Sequence, residues 1–268
     1  MKKNFIVIFA LLLALTAGAN AALVGHWQFN ETTGTTATSS VNSPANDGTL
    51  NDGASFDNGS LLLTKDSDLS YAGTSGVSTG LMGITGNNAR TIAAWIKTDV
   101  GINNAAIVSW GNSWTTLGGV LGGRFTMKVN NVGNKNELRV EIGGGYTYGS
   151  AVINDGLWHH VAVTMDGTAT VCSQVKLYVD GVLDTNIDSG DANPIISQVN
   201  APVTIGWIDI KNDTSRTHPQ AFKGNIDDVM IYDEALDAAA IGAMVPEPTT
   251  ITLIGLGALS LIRRRRKN

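Results

Sequence analysis

The stretch from Asp155 to Gly181 constrains the fold more than any other part of this 268-residue chain. It contains two runs in which apolar residues occupy every second position. These residues are Val161, Val163 and Met165 in the first run, and Val175, Leu177 and Val179 in the second. Such alternation indicates half-buried β-strands, because successive strand side chains point to opposite faces. Asp166-Gly167 and Asp180-Gly181 follow the two runs and tolerate the positive φ of tight turns, so the stretch predicts two paired antiparallel strands.

Similar short runs, separated by Gly, Asn, Ser and Thr, recur along the chain. The other predicted strands are 23–29, 61–63, 91–97, 105–110, 124–129, 137–142, 150–153, 202–208 and 221–232. The polar segments 30–58 and 65–90 are expected to be mostly loop. Helical periodicity is almost absent; the one helix candidate is 235–243, with Asp233 and Glu234 as its acidic first turn. This pattern predicts an all-β, two-sheet antiparallel sandwich.

Residues 1–22 are predicted to be a cleaved secretory signal peptide. Two lysines precede an apolar run from Phe5 to Leu15, and Ala19-Asn20-Ala21 supplies the small-x-small pattern that precedes a cleavage site. A transmembrane anchor is the alternative, but the apolar run is too short to span a bilayer. The segment therefore predicts export, with cleavage near Ala21 or Ala22.

Residues 245–268 form a second addressing segment. It comprises the tripeptide Pro246, Glu247, Pro248, an apolar run over 249–262, and the basic cluster Arg263, Arg264, Arg265, Arg266. As a hydrophobic transmembrane helix the apolar run would reach about 21 Å against a hydrocarbon core of about 30 Å, which is a marginal span. The basic cluster would hold its end on the cytoplasmic side.

This tail resembles the PEP-CTERM sorting tail of Gram-negative bacteria. The resemblance implies recognition by an exosortase-type membrane enzyme, transient anchoring in the inner membrane, and then release to the cell surface or the extracellular space. A plain C-terminal anchor is the alternative. Either interpretation places the body of the protein, residues 23–244, outside the cytoplasm.

Four motifs within 23–244 carry a second resemblance. They are W-Q-F-N-E-T-T-G-T from Trp27 with N-D-G-T-L from Asn46, T-I-A-A-W-I-K from Thr91, W-H-H-V-A-V-T-M-D-G from Trp158 with K-L-Y-V-D-G-V from Lys176, and F-K-G-N-I-D-D-V-M-I-Y-D-E-A-L from Phe222. Together they resemble the laminin-G-like, concanavalin A-like jelly-roll family, although Asn30 replaces the usual acid. The resemblance implies one jelly-roll domain and places Trp27, Trp95 and Trp158 at core positions.

The doublet Asp227-Asp228 is the candidate metal ligand. Strand alternation would point one of the two carboxylates inward unless a bulge intervenes, and a buried carboxylate needs a partner or a cation. The family resemblance implies that Asp227 binds Ca²⁺ together with backbone carbonyl oxygens from the loop after the first strand, and oxygen donors of this kind suit that ion. The loop residues are Glu31, Asn46, Asp47 and Gly48. A structural calcium would join the first and last strands; the alternative is that Asp227 caps loop amides without metal.

Catalysis is not expected. The glycosidase alternative for this fold needs two close carboxylates, and Glu137 and Glu141 share a strand face without the aspartate of the usual motif, so they are read as an exposed face. His159 and His160 are adjacent on a strand and cannot converge on one ion, so they are expected to be structural. The single cysteine, Cys172, cannot form an intramolecular disulfide.

Three aromatic residues are predicted to face a ligand, because they lie in Gly-rich turns. They are Trp114, Tyr146 and Tyr148. The chain has a net charge of −5, and seven of its 18 Lys and Arg residues lie in the two end segments, so nucleic acid is not an expected partner. We expect an exported, non-catalytic module that binds a glycan or matrix polymer of the cell envelope or extracellular polymer. The alternatives are a structural matrix protein without a defined ligand, and a glycosidase or lyase.

Overall fold

Two antiparallel sheets carry the fold of the computed structural model. The structure describes residues 21–51, 53–64, 76–80, 82–100, 104–111, 120–130, 136–184, 188–190, 193–197, 202–208 and 220–245. In chain order the described strands are β1 (Leu23–Trp27), β2 (Thr36–Ala37), β3 (Gly48–Asn51), β4 (Ala54–Asp57), β5 (Ser60–Leu63), β6 (Gly76–Ser78), β7 (Arg90–Lys97), β8 (Ala106–Gly111), β9 (Arg124–Asn130), β10 (Glu137–Ile142), β11 (Gly145–Val152), β12 (Trp158–Met165), β13 (Lys176–Val179), β14 (Val182–Asp184), β15 (Asp188–Gly190), β16 (Thr204–Ile205) and β17 (Gly224–Tyr232). A 3₁₀ turn spans Cys172–Gln174, and helix α1 spans Ala238–Ala243.

The strand order within each sheet is that of a sandwich in which distant parts of the chain become neighbours. The eight-stranded sheet runs β14-β13-β12-β7-β17-β5-β4, and β1 also pairs with β17. The nine-stranded sheet runs β15-β11-β10-β9-β8-β16-β6-β3-β2. The first and last strands thus pair with each other, and the predicted all-β jelly roll is confirmed.

The hydrophobic core lies between the two sheets. Alternate residues of the long strands enter it, and all are buried; they include Trp27, Ile92, Phe125, Met127, Val140, Val163, Leu177 and Ile226. Because the strands alternate, each sheet also has a face turned away from this core. The candidate functional residues lie mainly on those two outer faces.

The predicted central pair is confirmed as β12 and β13. Val161 lies opposite Val179 and Val163 opposite Leu177. Asp180 and Gly181 both have positive φ, 50° and 78°, and form the tight turn to β14. Asp166-Gly167 forms no such turn: its carboxylate accepts hydrogen bonds from the N–H groups of Thr168 and Ala169, and the chain passes through the 3₁₀ turn before β13.

Several expectations of loop and helix boundaries were wrong. Strands β2, β3 and β4 lie in the predicted loop 30–58, and β6 lies in 65–90. They are two to four residues long, too short to show a period. Helix α1 begins after Asp237, whose side chain accepts from the N–H of Ala240, so the acidic doublet at 233–234 precedes the helix rather than forming its first turn.

The two addressing segments lie almost entirely outside the described residues. This applies to residues 1–20 of the predicted signal peptide, to Pro246, Glu247 and Pro248, to the predicted helix 249–262 and to Arg263, Arg264, Arg265 and Arg266. Within the described part of the chain, no helix has the length and apolar character needed to cross a bilayer.

Candidate ligand-binding face

The face of the nine-stranded sheet turned away from the core is polar, and we call it the polar face. Residues opposite one another on neighbouring strands share a face, so the register defines its rows. One row crosses the sheet as Thr36, Thr49, Ser78, Thr204, Ser109, Thr126, Glu141 and Tyr146. A second row consists of Ala106, Lys128, Arg139 and Tyr148. Small hydroxyl residues thus fill one side of the polar face, and charged and aromatic residues fill the other.

The charged side centres on Glu141. Its Oε1 lies 2.8 Å from Nη2 of Arg124, and its Oε2 lies 2.6 Å from Nζ of Lys128 and 2.9 Å from Nη2 of Arg139. The side chain of Lys128 is completely buried, and those of Arg124 and Arg139 are 2% and 10% exposed. These four residues, Arg124, Lys128, Arg139 and Glu141, form what we call the charge cluster.

The charge cluster perturbs the proton affinity of its members. Burial alone would raise the pKa of the Glu141 carboxyl, but the three surrounding cations outweigh burial and hold that pKa well below its usual range. Burial lowers the pKa of the Lys128 ammonium, and the charge of Glu141 opposes this shift. Glu141 is therefore a permanent anion at neutral pH, and it supplies the charge that keeps cations in the sheet.

Tyr146 and Tyr148 stand at the edge of the charge cluster. Their rings are nearly parallel, with centroids 6.3 Å apart and 13° between planes. The guanidinium of Arg139 lies 4.2 Å from the Tyr146 ring centroid, which is a cation–π contact. On β15, a Cβ added at Gly190 would fall 2.6 Å from the Tyr146 ring, so the ring packs against that backbone.

Both tyrosines are half-buried, as expected for residues that present one edge outward. The structure thus brings two of the three predicted ligand-facing aromatics together on β11. The third, Trp114, lies outside the described residues. Ligand binding by these residues stays a prediction.

The three cations of the charge cluster were not among the sequence candidates. Arg124 and Lys128 alternate with the core residues of β9, and Arg139 and Glu141 with those of β10. The alternation alone assigns both pairs to outward faces. What it does not provide is the register of β9 against β10, which brings Lys128 beside Arg139.

The prediction that Glu137 and Glu141 lie on an exposed strand face was wrong, because both side chains are largely buried. They do share a face, but Glu137 is only 5% exposed and its Oε2 accepts from the side-chain amide of Asn130 at 3.0 Å. Four residue steps along the strand place the Cα atoms of Glu137 and Glu141 about 13 Å apart. The carboxylates of retaining glycosidases lie about 5 Å apart, so these two side chains do not form such a pair.

A bulge at Asp227 and Asp228 resolves the question of which carboxylate points inward. The register against β7 shifts between Asp227 and Met230, and Asp228 has a φ of 48°. Ile226 is buried before the bulge and Val229 after it, so both aspartates stay out of the core. On the edge of β17 that does not face β7, the bulge lies where pairing with β5 ends and pairing with β1 begins.

Only some of the residues predicted at the calcium site have side-chain oxygens that are not already engaged in hydrogen bonds. Burial raises the pKa of the Asp227 carboxyl to about 6, against the hydrogen bond from the N–H of Asp228, and Oε2 of Glu31 is buried without a hydrogen-bond partner among the described residues. The other side chains are engaged: Asn46 donates to the carbonyls of Val24 and Val41, and the Asp47 carboxylate accepts from Ser39 and Ser43.

The backbone at these positions is partly engaged as well. The Asn46 carbonyl accepts from the indole of Trp27, and Gly48 opens β3. No group of three His, Cys, Asp or Glu residues suited to a metal occurs in the described ranges. The fit to calcium is therefore partial, with Asp227 and Glu31 as the side chains that have oxygens to offer.

The two adjacent histidines have different environments. Burial would lower the pKa of His159, but hydrogen bonds to Asp180 and Asp155 raise it overall. His160 is buried, its pKa is lowered by burial, and neither ring nitrogen has a hydrogen-bond partner among the described residues. Its ring instead meets Trp95 edge-on at 5.4 Å, so packing rather than hydrogen bonding holds it.

Of the three tryptophans predicted at core positions, Trp27, Trp95 and Trp158, only Trp27 lies in the core. Trp27 is fully buried, but the predicted core role was wrong for the other two. Trp95 is half-buried on the face of β7 opposite to the core residues Ala94 and Ile96, and Trp158 is 40% exposed. Trp158 is the first residue of β12 and lies opposite Lys97 of β7. Trp110 and Trp207 are buried and offer no surface for a ligand.

Comparison with known proteins agrees with this architecture. A family model described as the concanavalin A-like lectin/glucanases superfamily matches residues 71–242. A second model, the PEP-CTERM protein-sorting motif, matches residues 245–267 and indicates an exported protein with a membrane-anchored C-terminal sorting tail. No curated protein matches the chain at a significant level.

Three solved structures illustrate the similarity. Domain 4 of AbnA, a GH43 extracellular arabinanase from Geobacillus stearothermophilus in complex with arabinotriose, is 18% identical with a TM-score of 0.57, over 84% of this chain and 99% of that one. Trypanosoma rangeli sialidase in complex with sialic acid is 16% identical with a TM-score of 0.52, over 82% of this chain and 32% of the sialidase. The binding domain of Paraclostridial Mosquitocidal Protein 1 is 14% identical with a TM-score of 0.52, over 83% and 51%. At such identities the likeness shows a common fold alone.

Proposed function

The chain belongs to the concanavalin A-like lectin/glucanases superfamily, and on that premise we propose that it is an exported, non-catalytic module that binds a glycan or matrix polymer through its polar face. The observation that carries the proposal is the position of Arg139. Its guanidinium is held by Asn130 at 3.2 Å and Glu141 at 2.9 Å while it lies over the Tyr146 ring.

This arrangement suits a polyhydroxylated ligand. Small-molecule sites combine apolar or aromatic surface with a few fixed polar groups, and binding costs less when those groups are already ordered. Arg139 supplies an ordered donor that Glu141 holds in place. Tyr146 and Tyr148 supply rigid aromatic surface with a hydroxyl at its edge.

The sorting tail supports an extracellular place of action. We propose that 249–262 anchors the protein transiently in the inner membrane, and that an exosortase-type enzyme recognises Pro246, Glu247 and Pro248 and processes the tail. The protein then reaches the cell surface or the extracellular polymer. Its partner there is the glycan or matrix polymer.

A second candidate, a structural matrix protein without a defined ligand, is favoured by the hydroxyl side of the polar face. Across six strands that row holds only Thr and Ser, and Ser109 and Thr126 hydrogen-bond each other at 2.8 Å. Side chains so small and mutually satisfied present little that is specific to a ligand. The two candidates therefore differ in whether the tyrosine side of the face is used.

A glycan-array screen of the secreted protein, with calcium and with chelator, tests the proposal. We expect saturable binding to one glycan class, and at least a tenfold weaker affinity for Tyr146→Ala, because the aromatic contact and the Arg139 support are lost together. Tyr232→Ala is the matched control, since Tyr232 is also half-buried but lies on the other sheet. Silence across a broad array, or equal losses in both variants, would favour the structural role.

A further inference from the structure

Ala22 closes the pairing between the first and last strands. Its N–H donates to Oδ1 of Asp233 at 3.0 Å, and the N–H of Asp233 donates to the Ala22 carbonyl at 3.2 Å. The next pair along the register is Leu23 with Tyr232, the first residue of β1 and the last of β17. The chain is therefore part of the folded domain from Ala22 onward.

The sequence before this contact ends the predicted signal peptide. Small residues at positions 19 and 21 match a cleavage pattern whose cut follows Ala21. A cut one bond later would remove Ala22, and both hydrogen bonds with Asp233 would be lost. The geometry thus requires a cut before Ala22, and the sequence pattern selects the bond after Ala21.

We propose that the signal is cut between Ala21 and Ala22, and that Asp233 is the docking site of the α-ammonium group that the cut creates. Hydrolysis adds water across the peptide bond, leaving a carboxylate on Ala21 and an amine on Ala22. That amine takes up a proton at neutral pH, since α-amino groups have a pKa of about 7.7–8.0. The hydrogen bond to Asp233 then becomes a charge-assisted one at the same place.

This docking has a structural consequence that is independent of glycan binding. Among the described strands, β1 forms a ladder with β17 alone, and free chain ends fray unless they are held. An ion pair at Ala22 holds that end. The uncut precursor has the hydrogen bond but lacks the charge, so processing itself strengthens the closure.

The effect is moderate, because the carboxylate is open to water. Asp233 is exposed and borders a cleft of about 430 Å³ that Val24, Met82 and Asn88 also line. Exposed ion pairs are weak and are screened by salt. The expected signature is thus a salt-sensitive change in the reactivity of the terminus.

The test begins with the full chain exported by a Gram-negative host. Mass spectrometry of the amino-terminal peptide is expected to find Ala22 as the first residue; any other first residue overturns the proposed cut. At pH 8 and low salt, an amine-reactive acylating reagent should then label the Ala22 terminus about 2- to 5-fold more slowly in the wild type than in Asp233→Asn, because pairing favours the protonated ammonium and leaves a smaller fraction of reactive free amine.

Glu234→Gln is the matched control, because it removes a neighbouring carboxylate of the same charge. It should retain the wild-type labelling rate, and 1 M salt should remove the difference between the wild type and Asp233→Asn. Equal rates in Asp233→Asn and the wild type at low salt would overturn the docking. If Asp233→Asn and Glu234→Gln raised the labelling rate equally, the effect would likewise come from general negative charge rather than from Asp233.

Discussion

The two faces turned away from the common core are covered in opposite ways. On the eight-stranded sheet, Ala93, Ala162 and Tyr178 form an apolar patch, and Ile241 of α1 packs onto it. On the nine-stranded sheet, the charge cluster is almost as deeply buried, but Glu141 forms an ion pair with each of its three cations. The chain covers part of one outer face with its own helix, and a network of ion pairs occupies part of the other.

This difference bears on function, because the two solutions have different energetic value. Apolar packing of the kind at Ile241 stabilises a fold in proportion to the area that it buries. A buried ion-pair network contributes little net stability relative to well-packed apolar residues, although removing one partner is costly. Stability alone therefore explains the helix-covered face but not the charge cluster, whose distinctive property is that it fixes Arg139 beside Tyr146.

The largest effect that we predict is for Glu141→Gln. It leaves three cations without their common anion, and we expect a loss of about 3–5 kcal/mol in the free energy of unfolding, measured by urea denaturation at pH 7. Glu137→Gln is the matched control, because glutamine retains an acceptor for Asn130, and its loss should stay below about 1 kcal/mol.

The pH dependence of the same variant gives an independent check. Since the folded-state pKa of Glu141 lies below its unfolded value, its contribution is present above the ordinary glutamate pKa of about 4.3 and is lost as the pH falls below that value. The stability difference between the wild type and Glu141→Gln should therefore shrink on acidification. Equal losses for the two glutamine variants at pH 7 would show that Glu141 does not organise the cluster.

The second prediction concerns the helix-covered face. Ile241→Ala should cost about 2–3 kcal/mol, the lower part of the range for such truncations, because its cluster is small. Ala239→Ser, at an exposed position of the same helix, should cost about 0.5 kcal/mol or less. If the two faces are independent, the affinity of Ile241→Ala for a glycan ligand should equal that of the wild type, and a parallel loss of binding would show that they are coupled.

The sequence predicted the long strands of both sheets better than the contacts on their outer faces, for a physical reason. Period-two alternation identifies long strands that border the core, so β7, β8, β9, β10, β12, β13 and β17 were found. It also assigns residues to outward faces, but not their neighbours across strands, because register depends on turns and bulges. The pairing of Lys128 with Glu141 was therefore invisible, and β2 and β6 are too short to carry a period.

The bulge at Asp228 shows the same limit. An acidic doublet at the centre of an apolar strand left two possibilities open: an inward carboxylate with a partner or cation, or a bulge that keeps both carboxylates out of the core. Only the register against β7 places the extra residue and shows that both carboxylates escape the core. Added calcium can then test whether a cation joins Asp227.

The smallest effect that we predict is for Asp227 in this bulge, on the same sheet that α1 covers. With a folded-state pKa of about 6, raised above the ordinary value of about 3.9, Asp227 favours the fold when protonated, and that contribution is lost as the pH rises from about 4 to above 6. Asp227→Asn should match the wild type at pH 4 and exceed its stability at pH 7 by about 1 kcal/mol, a figure reduced because the group is only half-buried. Asp99→Asn, at an exposed position, should change neither value.

Calcium separates the two interpretations of Asp227. If Asp227 binds calcium, the ion compensates its buried charge, so millimolar calcium should raise the melting temperature of the wild type at pH 7 and leave Asp227→Asn unchanged. If the carboxylate only caps loop amides, melting temperatures with calcium and with chelator should agree for both proteins. Glu31 lies in the predicted ligand loop, and its Oε2 has no hydrogen-bond partner among the described residues, so Glu31→Gln should weaken a genuine calcium response and leave a capping role of Asp227 unaffected.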